Sequence, residues 1–231
     1  MTVAPLCLHP PNRIILASAS PRRRALLASL GVAFEVCPAS VDESALPGES
    51  PLQTQQRITR QKAQHARCTL PFDANAAVIA CDTTVLLDGV MLNKPADADE
   101  ARHMLRLLRG RVHQVQSTLV VRCDGAEVLD VVVSDVRMRA YSDAEIEAYV
   151  ATGDPLDKAG SYAVQHPLFQ PVERIYGCPL NVIGLPLCML RARLPFLGDP
   201  ASVCVRLFGR PCPLVLGTRE HEVDGRMREG L

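Results

Sequence analysis

The chain has 231 residues, of which 48% are hydrophobic and 22% are charged, a composition typical of a globular protein with a substantial core. Its formal net charge is zero, which argues against a globally basic surface for nucleic acid, so any recognition of anions must be local. Prolines interrupt the first residues, which lack a signal-peptide pattern, and no apolar run reaches the length of a membrane span. We expect a cytoplasmic α/β protein that binds neither nucleic acid nor membrane.

Three regions are predicted from the distribution of prolines and periodic segments. Residues 1–11 contain three prolines and are expected to be poorly ordered, residues 12–194 form the domain, and residues 195–231 form a loosely ordered tail. The nine cysteines form no CxxC pair, and the six histidines form no spaced ligand set. This pattern favours buried thiols in a reducing compartment over disulfides or a zinc site.

A short strand and a helix open the domain. Residues 14–17 are apolar, Ser20 and Pro21 suit the N-cap and first position of a helix, and Gly31 suits its C-terminal end. Three arginines at positions 22–24 follow the turn. Because helix N-termini and guanidinium groups both attract phosphate, the turn is predicted as an anion site. The alternative is a solvated basic cap on a surface helix.

A polar helix comes next in the chain. After a turn-rich segment over 41–48, the serine and proline at 50–51 repeat the capping pattern and open a helix to about Arg67, with Lys62 in its second half. The polarity of this helix indicates that one face looks onto water or a cleft, and a plain surface helix is equally consistent with it.

The strongest local signal is a buried strand that ends in a carboxylate. Residues 76–81 are small and apolar, and Asp82 follows them directly, at the position where open α/β sheets keep their chemistry. A hairpin turn at Asp88 and Gly89 then returns the chain toward Lys94. Asp82 and Lys94 are therefore predicted to lie on paired strands and to share a functional site, with a structural salt bridge as the alternative.

The second half of the domain combines helices with a long antiparallel ribbon. Capping boxes at 97–100 and 142–145 open two helices. Between them, two long strands joined by the turn at 124–125 predict a mixed sheet. The remaining predicted elements are a polar loop over 154–165 and a last helix over 187–194.

The charged residues suit a nucleoside polyphosphate. The chain has three lysines against 22 arginines, and we interpret the three as positions that need a compact ammonium group. Groups able to neutralise a triphosphate are Ser18, Arg22, Arg23, Lys62 and Lys94, and hard oxygen ligands for Mg²⁺ or Mn²⁺ are Asp42, Glu43, Asp82 and Asp157. A carboxylate near a metal-bound water could accept its proton. With neither a P-loop nor a GxGxxG motif, the pattern alone indicates a phosphate-handling α/β protein.

Eight short motifs together resemble the Maf (septum formation) family. In order, they are S-A-S-P-R-R at 18–23, D-E at 42–43, K-A at 62–63, C-D-T at 81–83, N-K-P at 93–95, G-R-V-H-Q-V at 110–115, D-K-A-G-S-Y at 157–162 and G-L-P at 184–186. The resemblance covers about residues 13–194, and all three lysines fall on its motif positions.

The resemblance implies a house-cleaning nucleoside triphosphate pyrophosphatase, which converts a nucleoside triphosphate and water to the monophosphate and pyrophosphate with a divalent metal, Mg²⁺ or Mn²⁺. It also implies a mixed α/β fold like that of the inosine triphosphatases, with two lobes around a central cleft, and often a homodimer. The alternative function is a nucleotide-binding regulator of cell division whose hydrolysis is incidental.

Matching positions imply roles for individual residues. The proton acceptor would be Asp82, and the metal would lie near Glu43 and Asp82. The phosphates would be held by Ser18, Arg22, Arg23, Lys62 and Lys94. Base choice would depend on Arg23, Thr83 and Gln165, and the site would be supported by Asp157 and Lys158. Thr83 and Gln165 resemble the branch that acts on dTTP and UTP rather than on 7-methyl-GTP. The sequence departs from that branch at His166 and Pro167, where glycine is usual, so the base remains open between pyrimidines and a wider set.

Overall fold

The computed structural model describes residues 3–69, 75–212, 222–225 and 227. Its strands are β1 (Arg13–Leu16), β2 (Glu35–Val36), β3 (Ala76–Leu87), β4 (Val90–Leu92), β5 (Val112–Cys123), β6 (Ala126–Met138), β7 (Val172–Tyr176) and β8 (Glu222–Asp224). Its helices are α1 (Pro21–Ala28), α2 (Pro51–Thr69), α3 (Ala98–Leu108), α4 (Asp143–Val150), α5 (Pro179–Ile183), α6 (Leu187–Arg193) and α7 (Pro200–Phe208). Two 3-10 turns, Asp154–Asp157 and Ala159–Ser161, lie between α4 and β7. Within these described ranges, every helix is either too short or too polar to cross a membrane.

The strands pair in the order β2-β1-β3-β5-β6-β7-β8, and β4 pairs with β3. β1 is parallel to both of its neighbours, since Ile15 pairs with Glu35 of β2 and with Val78 of β3. β4 is antiparallel to β3, and β7 is antiparallel to β6 and β8. A sheet with both strand directions, whose strands alternate with helices along the chain, confirms the predicted mixed α/β fold.

Strand β3 is longer than predicted. The sequence analysis placed Asp82 directly after a strand, but β3 continues to Leu87 and Asp82 lies within it. The physical reason is that the β-branched residues at 83–85 favour extended chain and lead into the antiparallel pairing with β4. Pairing with β1 ends at Ile79, so Asp82 lies three residues beyond the parallel part of the sheet.

The chain divides into two compact units, in agreement with the two predicted lobes, and each is described by itself. The first unit comprises Met1–Asp82, Ser117–Val132 and Gly184–Val203. The second comprises Thr83–Gln116, Val133–Ile183 and Cys204–Leu231.

Helix α2 packs against the sheet of the first unit through small side chains. Ala63 and Ala66 of α2 belong to one buried cluster with Ile15 of β1 and with Val78 and Ala80 of β3. Alanine brings a helix close to the strands beneath it, because its side chain fills little of the space between them. Close packing of α2 on β3 is what places the polar groups of this helix next to Asp82.

Aromatic side chains around α4 form part of the core of the second unit. Tyr149 of α4 stacks on Phe169 with ring centroids 4.3 Å apart, and Tyr141 packs against Phe169 at 4.9 Å. The helix begins with the predicted capping box, in which the Ser142 hydroxyl and the Glu145 carboxylate each accept a hydrogen bond from the other residue's backbone N–H.

The segment before β1 is bonded to the end of α6 within the first unit. The carbonyl oxygen of Arg193 accepts hydrogen bonds from the backbone N–H groups of Leu6 (2.9 Å) and Cys7 (3.3 Å). The Arg193 guanidinium donates to the carbonyl oxygen of Ala4 at 2.7 Å and pairs with Asp130 at 2.6 Å. The sequence analysis did not anticipate these contacts for residues 1–11.

Residues after Pro195 include α7 and β8, neither of which was predicted. Five α7 residues are buried, namely Pro200, Val203, Cys204, Leu207 and Phe208. Their spacing places them on one face of a helix, a pattern too short to be noticed within a proline- and glycine-rich stretch. Residues 213–221, 226 and 228–231 of the predicted tail, and residues 1–2 of the predicted lead-in, lie outside the described residues.

Candidate active site

A buried lysine in the first unit contacts two carboxylates that are far apart in the sequence. Nζ of Lys62, on α2, lies 2.7 Å from Oδ1 of Asp82 on β3 and 2.6 Å from Oε1 of Glu43 in the loop before α2. The Lys62 side chain is 10% exposed, whereas that of Glu43 is 60% exposed. The cluster is therefore open to water on its Glu43 side, and it brings together three of the predicted site residues.

The carboxylates of this cluster fit a divalent cation of the Mg²⁺ or Mn²⁺ type. Glu43 and Asp82 each direct an oxygen atom toward the same ammonium nitrogen, and carboxylate oxygens are the ligands that such hard cations prefer. Two carboxylates and one ammonium leave a formal charge of −1, which favours an added cation. Asp42 faces Ser44 instead, because the backbone N–H of Ser44 donates to Oδ1 at 2.9 Å, and this hydrogen bond lowers the pKa of the Asp42 carboxyl.

An arginine of α2 holds the loop that carries Glu43. The Arg57 guanidinium donates to both carboxylate oxygens of Glu49, at 2.7 and 2.9 Å, and to the carbonyl oxygen of Ser44 at 2.6 Å. Hydrogen bonds from Arg57, followed by that from the backbone of Leu46, lower the pKa of Glu49 to about 2. The pair fixes the loop to the first turns of α2 immediately beside Glu43.

A second α2 residue, Gln55, holds the backbone of Asp82. Its Nε2 donates to the carbonyl oxygen of Asp82 at 3.0 Å, and its Oε1 accepts from the Thr118 hydroxyl at 3.0 Å. Gln55 is buried, so both bonds are made away from water. Gln55 was not among the predicted site residues, although its spacing was informative. Gln55, Thr59 and Lys62 follow the i, i+4, i+7 spacing of one helix face, and all three are buried.

The turn between β1 and α1 is built as predicted. Pro21 is the first residue of α1, and the Ser20 side chain caps the helix by accepting a hydrogen bond from the backbone N–H of Arg23 at 3.4 Å. The buried Ser18 hydroxyl accepts from the backbone of Ser20 and from Nη1 of Arg23, both at 3.2 Å. This arrangement orients the Arg23 guanidinium at the N-terminal end of the helix, where the macrodipole favours anions. Arg22, one residue earlier, is half-buried.

A single carbonyl group connects this turn with the strand that carries Asp82. The carbonyl oxygen of Gly184 accepts from Nε of Arg23 at 2.9 Å and from the Cys81 thiol at 3.4 Å. Cys81 directly precedes Asp82. The first unit thus brings the predicted residues Ser18 and Arg23 close to the middle of β3, where Asp82 lies.

A second lysine, Lys158, is surrounded by carboxylates in the second unit. Its Nζ contacts Oδ1 of Asp157 at 2.5 Å, Oδ1 of Asp154 at 2.9 Å and the carbonyl oxygen of Asp154 at 2.6 Å. The Tyr149 hydroxyl donates to Asp154 at 2.7 Å. Burial opposes ionisation of Asp154, but the hydrogen bonds from Lys158 and Tyr149 hold the pKa of its carboxyl below the ordinary value.

The other predicted residues of the second unit lie on separate elements. Thr83 lies on β3 and is half-buried, Lys94 is exposed two residues after the end of β4, and Gln165 is half-buried after the 3-10 turns. The backbone N–H of Gly160 donates to the carbonyl oxygen of Asn93 at 3.2 Å. At Gly160, φ is +68° and a Cβ would lie 2.9 Å from Val85, so only glycine fits where this segment crosses β3.

The segment after Gln165, which departs from the family pattern, is packed against α4. The His166 ring meets the Tyr149 ring edge-on at 4.7 Å, and its Nδ1 accepts from the backbone N–H of Phe169 at 3.0 Å. Arg139 donates to the carbonyl oxygen of Phe169 at 2.8 Å. These contacts of His166 and Phe169 fix the turn after Gln165.

The mixed sheet and the charged cluster beside β3 define an α/β protein with a polar candidate site. Residues 13–195 match the family model described as Maf-like protein, and the chain belongs to this family. Three similar proteins are named dTTP/UTP pyrophosphatase. That of Anaeromyxobacter dehalogenans is 47% identical over 192 residues, covering 81% of this chain and 95% of that protein. That of Chromobacterium violaceum is 43% identical (76% and 90% covered), and that of Thermomicrobium roseum is 44% identical (82% and 86% covered).

Proposed function

We propose that the protein is a nucleoside triphosphate pyrophosphatase, a hydrolase of acid anhydrides that releases the monophosphate and pyrophosphate, with dTTP and UTP as preferred substrates. The observation that carries the proposal is the Lys62 cluster, in which a buried ammonium group contacts two carboxylates. The Gly184 carbonyl connects Cys81, the neighbour of Asp82, with Arg23 at the N-terminus of α1. The shared name of the three relatives supports the reaction and the bases.

Phosphate binding is assigned first to the groups of the first unit that lie near Asp82. The Arg23 guanidinium is oriented by Ser18 and Gly184, so little side-chain entropy remains to be lost when it binds a phosphate oxygen. Lys62 supplies a compact positive charge whose position α2 fixes. Arg22, Ser18 and Lys94 complete the proposed set on the strength of their motif positions.

Asp82 is the proposed proton acceptor. One of its oxygens accepts a hydrogen bond from Lys62, which orients the carboxylate, and its side chain is partly exposed, so water can reach it. Water that attacks the α-phosphorus would transfer a proton to Asp82 as the bond to the pyrophosphate leaving group breaks. The hydrogen bond from Gln55 to the Asp82 backbone holds this carboxylate in place during the step.

Glu43 and Asp82 are the residues that would hold a divalent metal, Mg²⁺ or Mn²⁺. When bound, such an ion neutralises phosphate charge and lowers the pKa of a coordinated water. The Glu49–Arg57 pair keeps the loop that carries Glu43 on α2. Ordering the Glu43 carboxylate for metal binding therefore costs little free energy.

Base choice is proposed to depend on Arg23, Thr83 and Gln165. The turn after Gln165 is fixed by His166 and Phe169 against α4, so we expect pyrimidine preference to be retained even though the usual glycine is absent. A cytoplasmic location and a homodimer stay predictions, the second of which light scattering on the purified protein would test.

Product analysis tests the proposal. Purified protein is incubated with Mg²⁺ or Mn²⁺ and with dTTP, UTP, CTP, GTP, ATP or 7-methyl-GTP, and pyrophosphate is scored separately from phosphate. The expected result is equimolar monophosphate and pyrophosphate, fastest with dTTP and UTP. Release of inorganic phosphate alone would contradict the assigned bond cleavage. Nucleotide binding without turnover would instead support a regulator, and equal rates on all bases would contradict the proposed preference.

A further inference from the structure

Two cysteines and an aspartate that are distant in the sequence meet at one edge of the first unit. Cys7 lies in the segment before β1, Cys123 is the last residue of β5, and Asp124 begins the turn to β6. The two sulfur atoms and a carboxylate oxygen all lie within 4.8 Å of one another. The sequence analysis had no means of finding this group, because 115 residues separate Cys7 from Cys123 and neither belongs to a spaced motif.

We propose that Cys7, Cys123 and Asp124 form a binding site for one thiophilic divalent cation of the zinc class. In tetrahedral sites, Zn–S distances of about 2.3 Å and Zn–O distances of about 2.0–2.2 Å place neighbouring sulfur and oxygen ligands about 3.6 Å apart. Sγ of Cys7 lies 3.7 Å from Oδ2 of Asp124, which matches that edge. The Cys7 thiol also donates to the carbonyl oxygen of His9 at 3.1 Å, and the fourth position of the proposed site is assigned to water.

The donors are held in place by contacts that do not depend on the cation. Cys7 is positioned by the hydrogen bond from its backbone N–H to Arg193, whose guanidinium pairs with Asp130. Asp124 has a left-handed backbone with φ of +53°, which fixes its carboxylate next to the end of β5. Both thiols are 2% exposed. A site whose ligands are ordered in advance loses less free energy on binding.

Binding is coupled to the release of two protons. Cations of the zinc class bind the thiolate form of cysteine, so each ligating thiol gives up its proton on binding. The cation replaces one proton on each sulfur, leaving two thiolates and one carboxylate around it. Soft sulfur ligands discriminate against Mg²⁺, so this site differs from the carboxylate site proposed at Glu43 and Asp82. The bound cation would fasten the N-terminal segment to the β5–β6 turn.

Cobalt titration of the full-length, reduced protein tests the site without reference to catalysis. Excess Mg²⁺ is included so that carboxylate sites are occupied. Co²⁺ is then expected to produce thiolate-to-cobalt charge-transfer absorption together with the visible spectrum of tetrahedral Co²⁺, and Zn²⁺ is expected to abolish both signals. Calorimetry in buffers of different ionisation enthalpy should report two protons released per ion at this site.

Three variants locate the signal. Cys123→Ser should bind one equivalent fewer of Co²⁺ and lose the charge-transfer band. Asp124→Asn, which tolerates the left-handed backbone, should weaken binding by about 10-fold or more. Cys37→Ala removes a buried thiol of the same unit that lies outside the group and should leave the signal unchanged.

Two results would overturn the proposal. The first is an unchanged cobalt spectrum and stoichiometry in both Cys123→Ser and Asp124→Asn, each checked for folding by circular dichroism. The second is a wild-type protein that, after reduction of both thiols, still binds no Co²⁺ through sulfur. Mass spectrometry would then show that Cys7 and Cys123 form a disulfide in air.

Discussion

The two buried lysines, Lys62 and Lys158, are surrounded by similar groups but assembled in opposite ways. Each contacts one less exposed carboxylate and one that is largely exposed, 60% for Glu43 and 65% for Asp157. Lys158 finds its partners one and four residues back in the chain. Lys62 finds them 19 residues before and 20 residues after itself, on a loop and a strand.

From this difference we infer a structural role for the Lys158 group and a role in the proposed site for the Lys62 cluster. The Lys158 bonds close a single turn, and with Tyr149 they stabilise the path of the chain between α4 and β7. The Lys62 cluster exists only when three distant segments have folded together. Burying charged groups costs desolvation free energy, which can exceed the free energy gained from the ion pairs. Gln55 and Arg57 also hold the segments that carry Asp82 and Glu43 in place. Such an arrangement is typical of a functional site.

The largest effect is expected from removing the less exposed carboxylate of each cluster. Asp82→Asn removes the proton acceptor but keeps the side-chain volume, so kcat for pyrophosphate release should fall by about 10²–10⁴-fold. Asp154→Asn, its counterpart beside Lys158, should lower the free energy of unfolding by about 1–3 kcal/mol and change kcat far less. Steady-state kinetics and urea unfolding of both variants make the comparison.

Nucleotide affinity is the control for this pair. Asp82→Asn should bind dTTP nearly as well as wild type when followed by calorimetry, because the phosphate-binding groups are untouched. A variant that keeps full turnover would remove Asp82 from the mechanism, and equal losses of kcat in the two variants would contradict the distinction between the clusters.

Acid is expected to weaken the second unit through His113. The segment that carries Lys158 continues into Tyr162, whose hydroxyl is 2.8 Å from Nε2 of His113, while the buried Nδ1 has no hydrogen-bond partner among the described atoms. Burial lowers the pKa of His113 from 6.5 to about 3. Below pH 6.5, the unfolded chain binds a proton at His113 that the folded chain does not bind. The contribution of His113 to the free energy of unfolding is therefore fully present above pH 6.5. It falls by about 1.4 kcal/mol per pH unit as the pH decreases from 6.5 to about 3.

Unfolding between pH 7.5 and pH 5 measures this term. At pH 5, the free energy of unfolding should be about 2 kcal/mol lower than at pH 7.5 because of His113. The variant His113→Gln, which carries no titrating group, should be less stable at pH 7.5 but should lose less of its stability on acidification. An identical pH dependence in wild type and variant would exclude His113 as the cause.

Local patterns in the sequence predicted several of the helices and strands that the structure shows. The serine and proline that open α1, the apolar stretch before Asp82 and the capping box of α4 are all set by neighbouring residues. The position of Lys62 in a polar helix was predicted as well. These features share one property, which is that their physical causes act within a few residues.

Contacts between distant segments were beyond prediction. No local rule places the Gln55 amide on the Asp82 backbone, since the two residues are 27 positions apart, and the family resemblance does not include Gln55. Strand β3 was predicted too short because its pairing with β4 begins only after Asp82. Helix α7 was missed because five buried positions in nine residues give a weak periodic signal.

Gln55 provides a smaller test of how the Lys62 cluster is held. Gln55→Leu removes the hydrogen bonds to the Asp82 carbonyl and the Thr118 hydroxyl while keeping a similar volume. We therefore expect kcat to fall about 10-fold, equivalent to about 1.4 kcal/mol, with KM for the nucleotide little changed. Thr118→Val removes only the bond to Oε1 and should have a weaker effect on kcat. If Gln55 were merely a core residue, the two variants would lose stability without any selective loss of kcat.

The smallest effects are expected at the two exposed carboxylates, and they test the metal assignment most directly. Glu43→Gln and Asp157→Asn each remove a largely exposed partner of a buried lysine, so each should change the free energy of unfolding by less than about 1 kcal/mol. Only Glu43→Gln should raise the Mn²⁺ concentration that gives half-maximal pyrophosphate release, because Glu43 converges with Asp82 whereas Asp157 is paired within its own turn. Activity measured across a Mn²⁺ titration separates the variants. An equal shift in both would mean that the Lys158 group also serves the metal, and the contrast between the two lysines would fail.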